Sequence, residues 1–143
     1  MRLRSIISII AAGAFAAALL AQIGCSSRPS LPEVSSEPYQ GPALALDSSQ
    51  PEYAVVIQAP TPGWVVSLDR VAEQYRHHAV FVSLRRPNPG FLYPQAIVEQ
   101  RVATPVPVRG AVRVYARILA ADVRESKAPY VLATKGDGTP AAQ

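Results

Sequence analysis

Short runs in which apolar and polar residues alternate dominate the chain from residue 52 onward. Five of them, at 52–58, 63–71, 78–86, 95–103 and 111–119, are rich in β-branched residues and bounded by Pro, Gly or Asn. A period of two between such boundaries is typical of half-buried antiparallel strands. We therefore predict an all-β fold, a small antiparallel β-sandwich or open barrel of five or six strands.

The same alternation predicts which side chains face the core. The residues predicted to face inward are Trp64, Val66, Leu68, Val80, Val82, Leu84, Val112, Val114, Ala116 and Ile118. Those predicted to face outward are Val65, Ser67, Asp69, Phe81, Ser83, Arg85, Arg113, Tyr115 and Arg117.

Proline and glycine mark the connections between these runs. The segments at 59–63 and 86–90 have turn composition, in which Pro fixes φ and Gly permits a positive φ. Two prolines confine 104–108 to an edge strand or a crossover, because each removes a ladder donor. A last strand is possible at 128–134, and a helix at 67–78 is the alternative to a strand and hairpin there.

The first 24 residues have the composition of an export signal. Arg2 and Arg4 precede an apolar run from Ile6 to Leu20, and small residues lead to Gly24. The run is shorter than the roughly 20 residues that a membrane-spanning helix needs. Residues 25–51 follow as a Pro/Ser-rich tether without a helix or strand period, so the predicted sandwich occupies 52–120 and a C-terminal strand and tail occupy 121–143.

The only cysteine of the chain, Cys25, stands where the signal ends. Its surroundings, AQIGCSS, resemble the lipobox of bacterial lipoproteins, although Gln22 takes the position where that motif usually has Leu. The resemblance implies a covalent lipid on Cys25, so that a membrane lipid would be one partner of the protein. The expected location is the bacterial cell envelope, on the periplasmic side or the cell surface.

Charge and residue types argue against several functions. The formal net charge of +4 falls by two when Arg2 and Arg4 leave with the signal, and no basic cluster remains for nucleic acid. Only two histidines occur, His77 and His78, and neighbours in a strand point to opposite faces, so we predict no metal site. Ser67 and Ser83 lack an accompanying base, and we predict neither an enzyme nor a cofactor.

Two Pro-Gly loops are the candidate contact surface for a partner protein. The candidate residues in these loops are Pro60, Thr61, Gly63, Trp64, Asn88, Gly90, Phe91 and Tyr93. Aromatic residues on rigid loops are frequent contact anchors. The ring of Trp64 could instead belong to the core, and Phe91 with Tyr93 could instead close the end of the sandwich.

Seven segments resemble, in order, the C-terminal domain of the PrcB-like family of protease-complex lipoproteins. They are YAVVIQ, PTPGW, VVSLDRV, VFVSLRR, PNPG, QAIVEQRV and TPVPV, within residues 53–118. Pro62 stands where that family has its first turn glycine. The first turn is also similar to the NPTTG loop of chagasin-like cysteine-protease inhibitors, although that loop's Asn is Ala59 here and their Arg-Pro-Trp loop is missing.

The PrcB-like resemblance implies a protein-binding domain that supports or restrains an envelope protease. Two alternatives remain open at this point: a structural or assembly lipoprotein without a protease, and a sandwich that binds a solute or glycan. The second alternative would need an open aromatic cleft.

Overall fold

The computed structural model describes residues 30–123 and 126–138, and the chain forms eight strands and no helix within them. The strands are β1 Val34–Ser35, β2 Ala43–Asp47, β3 Glu52–Ala59, β4 Val65–Glu73, β5 His78–Arg85, β6 Val98–Pro107, β7 Val112–Leu119 and β8 Tyr130–Gly136. The predicted signal and Cys25 lie outside the described residues. In the part of the chain that is described, no helix is long and apolar enough to cross a membrane.

The strands form two sheets. One has five strands in the order β1-β8-β7-β5-β4, and the other has three in the order β2-β3-β6. The all-β prediction and the sandwich are confirmed, and the two sheets do not close into a barrel.

The core lies between the two sheets and follows the alternation of the sequence. Val55 and Ile57 of β3 are fully buried, as are Val80, Val82 and Val114 of the five-stranded sheet. Trp64, Val66 and Leu68 are half-buried and pack against these residues. The predicted inward faces of β4, β5 and β7 are therefore confirmed.

The five-stranded sheet is mixed, whereas the sequence predicted antiparallel strands throughout. Strand β5 runs parallel to β7, with Val80 opposite Val114, and β1 runs parallel to β8. After β5 the chain crosses to β6 in the other sheet and returns as β7. Because β6 takes up the reverse direction, β5 and β7 run the same way.

Strand β5, which lies between β7 and β4, is buried on both faces. Phe81 and Ser83 do point away from the core, as predicted, but they are only 1% and 4% exposed. Phe81 stacks on Tyr115 and meets Tyr130 edge-on, with ring centroids 5.2 and 5.1 Å apart. The prediction that this face meets solvent is wrong, since these aromatic residues from β7 and β8 cover it.

The sandwich extends beyond its predicted limits. Strands β1 and β2 both lie inside the segment predicted as a tether without strands; β1 pairs parallel with β8 and β2 pairs antiparallel with β3. That prediction is wrong for residues 34–35 and for residues 43–47, where Leu44 and Leu46 pack against the core. The run at 104–108 belongs to β6, an edge strand as predicted, and β8 is the expected last strand.

Three connections gather at one end of the sandwich, which we call the loop end. They are residues 60–64 between β3 and β4, 86–97 between β5 and β6, and 120–123 after β7. The opposite end, which we call the far end, carries the turns at 74–77 and 108–111. His77 and His78 lie there, and burial, Arg113 and His78 lower the pKa of His77.

Candidate functional site

The two loops predicted as a contact surface touch each other at the loop end. The ring of Tyr93 lies so close to Gly63 that a Cβ at position 63 would be 2.6 Å from two ring carbons. Only glycine leaves room for the ring, so Tyr93 buttresses the first loop with the second. Gln100 of β6 also holds the first loop, because its Nε2 donates a hydrogen bond to the carbonyl oxygen of Trp64 at 2.7 Å.

The second loop begins with a hydrogen-bonded turn. The amide of Phe91 donates to the carbonyl oxygen of Asn88 at 3.1 Å, and the amide of Gly90 donates to Asn88 Oδ1 at 2.9 Å. Pro89 supplies the fixed φ that such turns favour. Neither Gly63 nor Gly90 has a positive φ. At position 63 glycine instead leaves the space that the Tyr93 ring occupies.

Two open grooves flank the dipeptide Arg86-Pro87, which lines both of them. The first groove has a volume of about 460 Å³ and lies between residues 86–89 and 120–122. The second has about 510 Å³ and lies among residues 40–42, Pro60, Trp64 and Ile118. The segment just before β2 thus forms one wall of the predicted contact surface.

Arg85 holds the outer wall of the first groove in place. Its guanidinium donates to the carbonyl oxygens of Ala120 at 3.4 Å, Ala121 at 3.3 Å and Val123. Hydrogen bonds from a charged donor are stronger than neutral ones. The amide of Arg86 also donates to the carbonyl oxygen of Leu119 at 2.9 Å. These hydrogen bonds join the two walls of the first groove, residues 86–89 and 120–122, where β5 and β7 end.

The structure brings most of the predicted contact residues together but gives them different positions. Pro60 and Trp64 line the second groove and Asn88 lines the first, while Gly63, Gly90 and Tyr93 shape the loops. The ring of Trp64 packs against the core, as one interpretation of the sequence predicts, and it also lines the second groove, while its role as a contact anchor stays a prediction. Thr61 Oγ1 is buried without a hydrogen-bond partner in the described chain.

Phe91 lines neither groove and instead belongs to an exposed apolar tip. Its exposed fraction is 66%, and Leu92 and Ile97 are exposed to 103% and 75%. The sequence analysis missed Leu92 and Ile97. Leu92 is a large apolar residue in a proline-rich loop outside the predicted strands, which was the available clue. Ile97 was predicted to lie in a strand at 95–103, and that prediction is wrong for residues 95–97, because β6 begins only at Val98. From here on, Phe91, Leu92 and Ile97 are called the apolar tip.

The sequence analysis also missed a polar cluster on the outer face of the five-stranded sheet. Asp69 accepts hydrogen bonds from Ser83 Oγ and from the Tyr130 hydroxyl, the latter at 2.8 Å. Arg117 Nε donates to Ser83 Oγ at 2.8 Å, and its guanidinium lies 4.6 Å from the ring centre of Tyr130. Asp69 is the extra residue of a β-bulge between Leu68 and Arg70.

This cluster joins a hydroxyl to a carboxylate but lacks the geometry of a nucleophile. The Ser83 hydroxyl is bonded to both Asp69 and Arg117, and the residue is nearly inaccessible. Burial, followed by the hydrogen bond to Asp69, raises the pKa of Tyr130 to about 12. The cluster therefore ties β4, β5, β7 and β8 together as a stabilising network.

Metal ligands are not assembled in the described residues. No group of three or more His, Cys, Asp or Glu side chains comes together there. The two histidines lie at the far end, away from both grooves, where the amide of Gln74 donates to the carbonyl oxygen of His77 at 2.9 Å. The candidate functional surface consists of the two grooves and the apolar tip.

Comparison of the chain with protein-family models, with curated proteins and with solved structures finds no match.

Proposed function

We propose that this chain is a membrane-anchored envelope lipoprotein whose β-sandwich binds another envelope protein at the loop end. The observation that carries the protein-binding part is the pair of grooves that share Arg86 and Pro87 between two braced loops. The anchor is supported by the signal composition of residues 1–24 and by Cys25 at its end.

The lining of the grooves suits a segment of protein. The first groove combines prolines with Arg86, Asn88 and Asp122, so it offers hydrogen bonds and both signs of charge. The second adds Trp64 and Pro60, which are apolar contact residues. Because the grooves adjoin at Arg86-Pro87, one extended peptide could lie across both. Aromatic and Arg side chains are also those enriched at protein interfaces.

A protease is the partner class that we propose first. The support is the order of segments that resembles the PrcB-like family, together with the position of two of them, PTPGW and PNPG, at the loop end. In this proposal the sandwich supports or restrains an envelope protease and performs no chemistry itself. Deleting the gene should then change proteolytic activity at the cell surface or in the secreted fraction.

The test is capture of a partner from solubilised membranes by tagged protein in two matched variants. Ala121→Arg places a long charged side chain in the first groove, whereas Ala45→Arg places the same side chain on the exposed outer face of β2. The proposal expects one envelope protein to be lost with Ala121→Arg and retained with Ala45→Arg. Equal capture by both variants would contradict binding of the partner in the first groove.

A second candidate is binding of a small solute or glycan. Trp64 lies in the second groove, and both groove volumes fall within the range of small-molecule sites. That function predicts saturable binding of a soluble glycan to the purified protein and its loss on Trp64→Phe. A structural lipoprotein without a protease would instead show altered envelope permeability after deletion.

A further inference from the structure

The chain enters the sandwich at the loop end. Strand β8 starts at Tyr130 near this end, and β1 runs parallel to it, with Val34 opposite Tyr130. Residues that precede Val34 therefore lie toward the loop end, and the amide of Tyr130 donates to the carbonyl oxygen of Glu33 at 2.8 Å. After β1 the chain stays at this end, because residues 40–42 line the second groove.

Very little chain separates this point from the proposed lipid. Five residues lie between Cys25 and Leu31, and an extended chain spans at most about 3.6 Å per residue, so this stretch covers no more than roughly 20 Å. Strand β1 is three strand spacings from β5, which is about 15 Å. A lipid on Cys25 would thus hold the loop end, including the connection that follows β5, close to the bilayer.

The composition of the loop end agrees with that orientation. The segment from Arg85 to Val98 contains no acidic residue and carries two arginines at its base. Its apolar tip exposes three large apolar side chains, those of Phe91, Leu92 and Ile97. Apolar and aromatic side chains above basic residues are the composition of segments that enter the membrane interface.

The far end has the opposite character. Its exposed residues include six charged ones, Glu52, Glu73, Arg76, Arg109, Lys135 and Asp137, beside the polar residues Ser48, Ser49 and Gln50. Tyr75 is the large exposed side chain there, at 96%. Transfer of these charges from water into a bilayer is unfavourable, so the far end is suited to water and the loop end is the better suited to lipid.

We infer that the apolar tip inserts into the surface of the bilayer that carries the lipid anchor, so that the sandwich sits with its loop end against the membrane. The inference rests on the anchor part of the proposed function. Phe91 and Leu92 line neither groove, so insertion of these two side chains does not itself fill either groove. Each inserted side chain of this size should contribute roughly tenfold to membrane partitioning.

The test compares a reporter at Leu92 with the same reporter at Tyr75 in the full lipoprotein in phospholipid vesicles. Leu92→Cys and Tyr75→Cys create labelling sites of nearly equal exposure at opposite ends, and a lipid-modified Cys25 does not compete for the label. An environment-sensitive fluorophore at position 92 should shift to the blue and be quenched by lipids that carry a quencher. The label at 75 should keep the emission it shows in water.

Two results would overturn the inference, and they are distinguishable. A water-like emission at both positions in vesicles would contradict insertion while leaving the anchor intact. An N-terminal mass without acyl chains would remove the anchor and the inference together. Neither result bears on capture by the grooves, which the Ala121→Arg and Ala45→Arg pair measures separately.

Discussion

The ring of Tyr93 occupies the space that a side chain at Gly63 would need, with ring carbons 2.6 Å from the position of a Cβ. This contact joins the β3–β4 connection to the β5–β6 connection, which are neighbours in space but 30 residues apart in sequence. It sets the shape of the surface that carries both grooves.

Gly63→Ala should displace Tyr93 and weaken partner capture without unfolding the domain. The added methyl cannot coexist with the present ring position, but the half-buried ring can swing toward solvent. We expect a loss of about 1–2 kcal/mol in binding free energy, roughly tenfold in Kd. Gly110→Ala at the far end is the control, because its Cβ would lie 3.1 Å from His78 Cδ2 and so adds a tight contact away from both grooves. Equal Kd values for the two variants would contradict this role of Tyr93.

Asp69→Asn should destabilise the domain through the outer cluster. The substitution keeps the shape of the side chain but removes the charge that faces Arg117 and one acceptor for Ser83 and Tyr130. We expect a loss of about 1–3 kcal/mol in the free energy of unfolding, measured with urea. Glu73→Gln, at the exposed end of the same strand, should change it by less than about 0.5 kcal/mol. A loss no larger than the control's would show that the cluster is not stabilising.

Stability should fall in strongly alkaline solution because of Tyr130. Its hydroxyl ionises near pH 10 in the unfolded chain, whereas burial and Asp69 raise its pKa to about 12 in the folded chain. The stabilisation is complete below pH 10 and is lost as pH rises from 10 toward 12, since only the unfolded chain releases the proton in that window.

Tyr130→Phe should remove part of this pH dependence, whereas Tyr75→Phe should leave it unchanged, because Tyr75 is almost fully exposed. Burial also raises the pKa of Tyr39, so a slope should remain in the Tyr130 variant. The measurement is the midpoint of urea unfolding from pH 9 to pH 12. Identical slopes in all three proteins would contradict the assignment to Tyr130.

Phe81→Ala should be among the most damaging single changes on the outer face of the five-stranded sheet. Phe81 is 1% exposed and contacts the rings of Tyr115 and Tyr130. Removal of a buried Phe side chain costs about 3–5 kcal/mol. Ile97→Ala, at a position 75% exposed, is the matched control and should leave the unfolding midpoint nearly unchanged. A small effect of Phe81→Ala would mean that this face is less tightly covered than the structure shows.

The sequence could predict the strands and their inward faces because both depend on local periodicity. Val112, Val114 and Ala116 alternate with polar neighbours and are all buried. Strand order and direction depend instead on distant pairings. The parallel alignment of Val80 with Val114 arises from a crossover through the other sheet, and no local pattern encodes it. The isolated apolar residues Leu44 and Leu46 were too few to show that β2 belongs to the core.

The candidate site was predictable only in part, for a related reason. Pro and Gly mark turns wherever they occur, so Pro60 and Asn88 could be placed in loops from the sequence alone. The bulge at Asp69 shifts the alternation by one residue and aims the carboxylate at Ser83 and Tyr130, which lie 14 and 61 positions away. Contacts over such separations are fixed by the register of several strands together.

Site-specific photo-crosslinking in living cells tests the central claim most directly. A photoreactive amino acid at Asn88 would report from the first groove, and the same amino acid at Tyr75 would report from the far end. The account predicts one discrete crosslinked envelope protein from position 88, absent from position 75 and lost when Ala121→Arg is added. Crosslinks of equal pattern from both positions, or none from position 88, would contradict protein binding at the loop end.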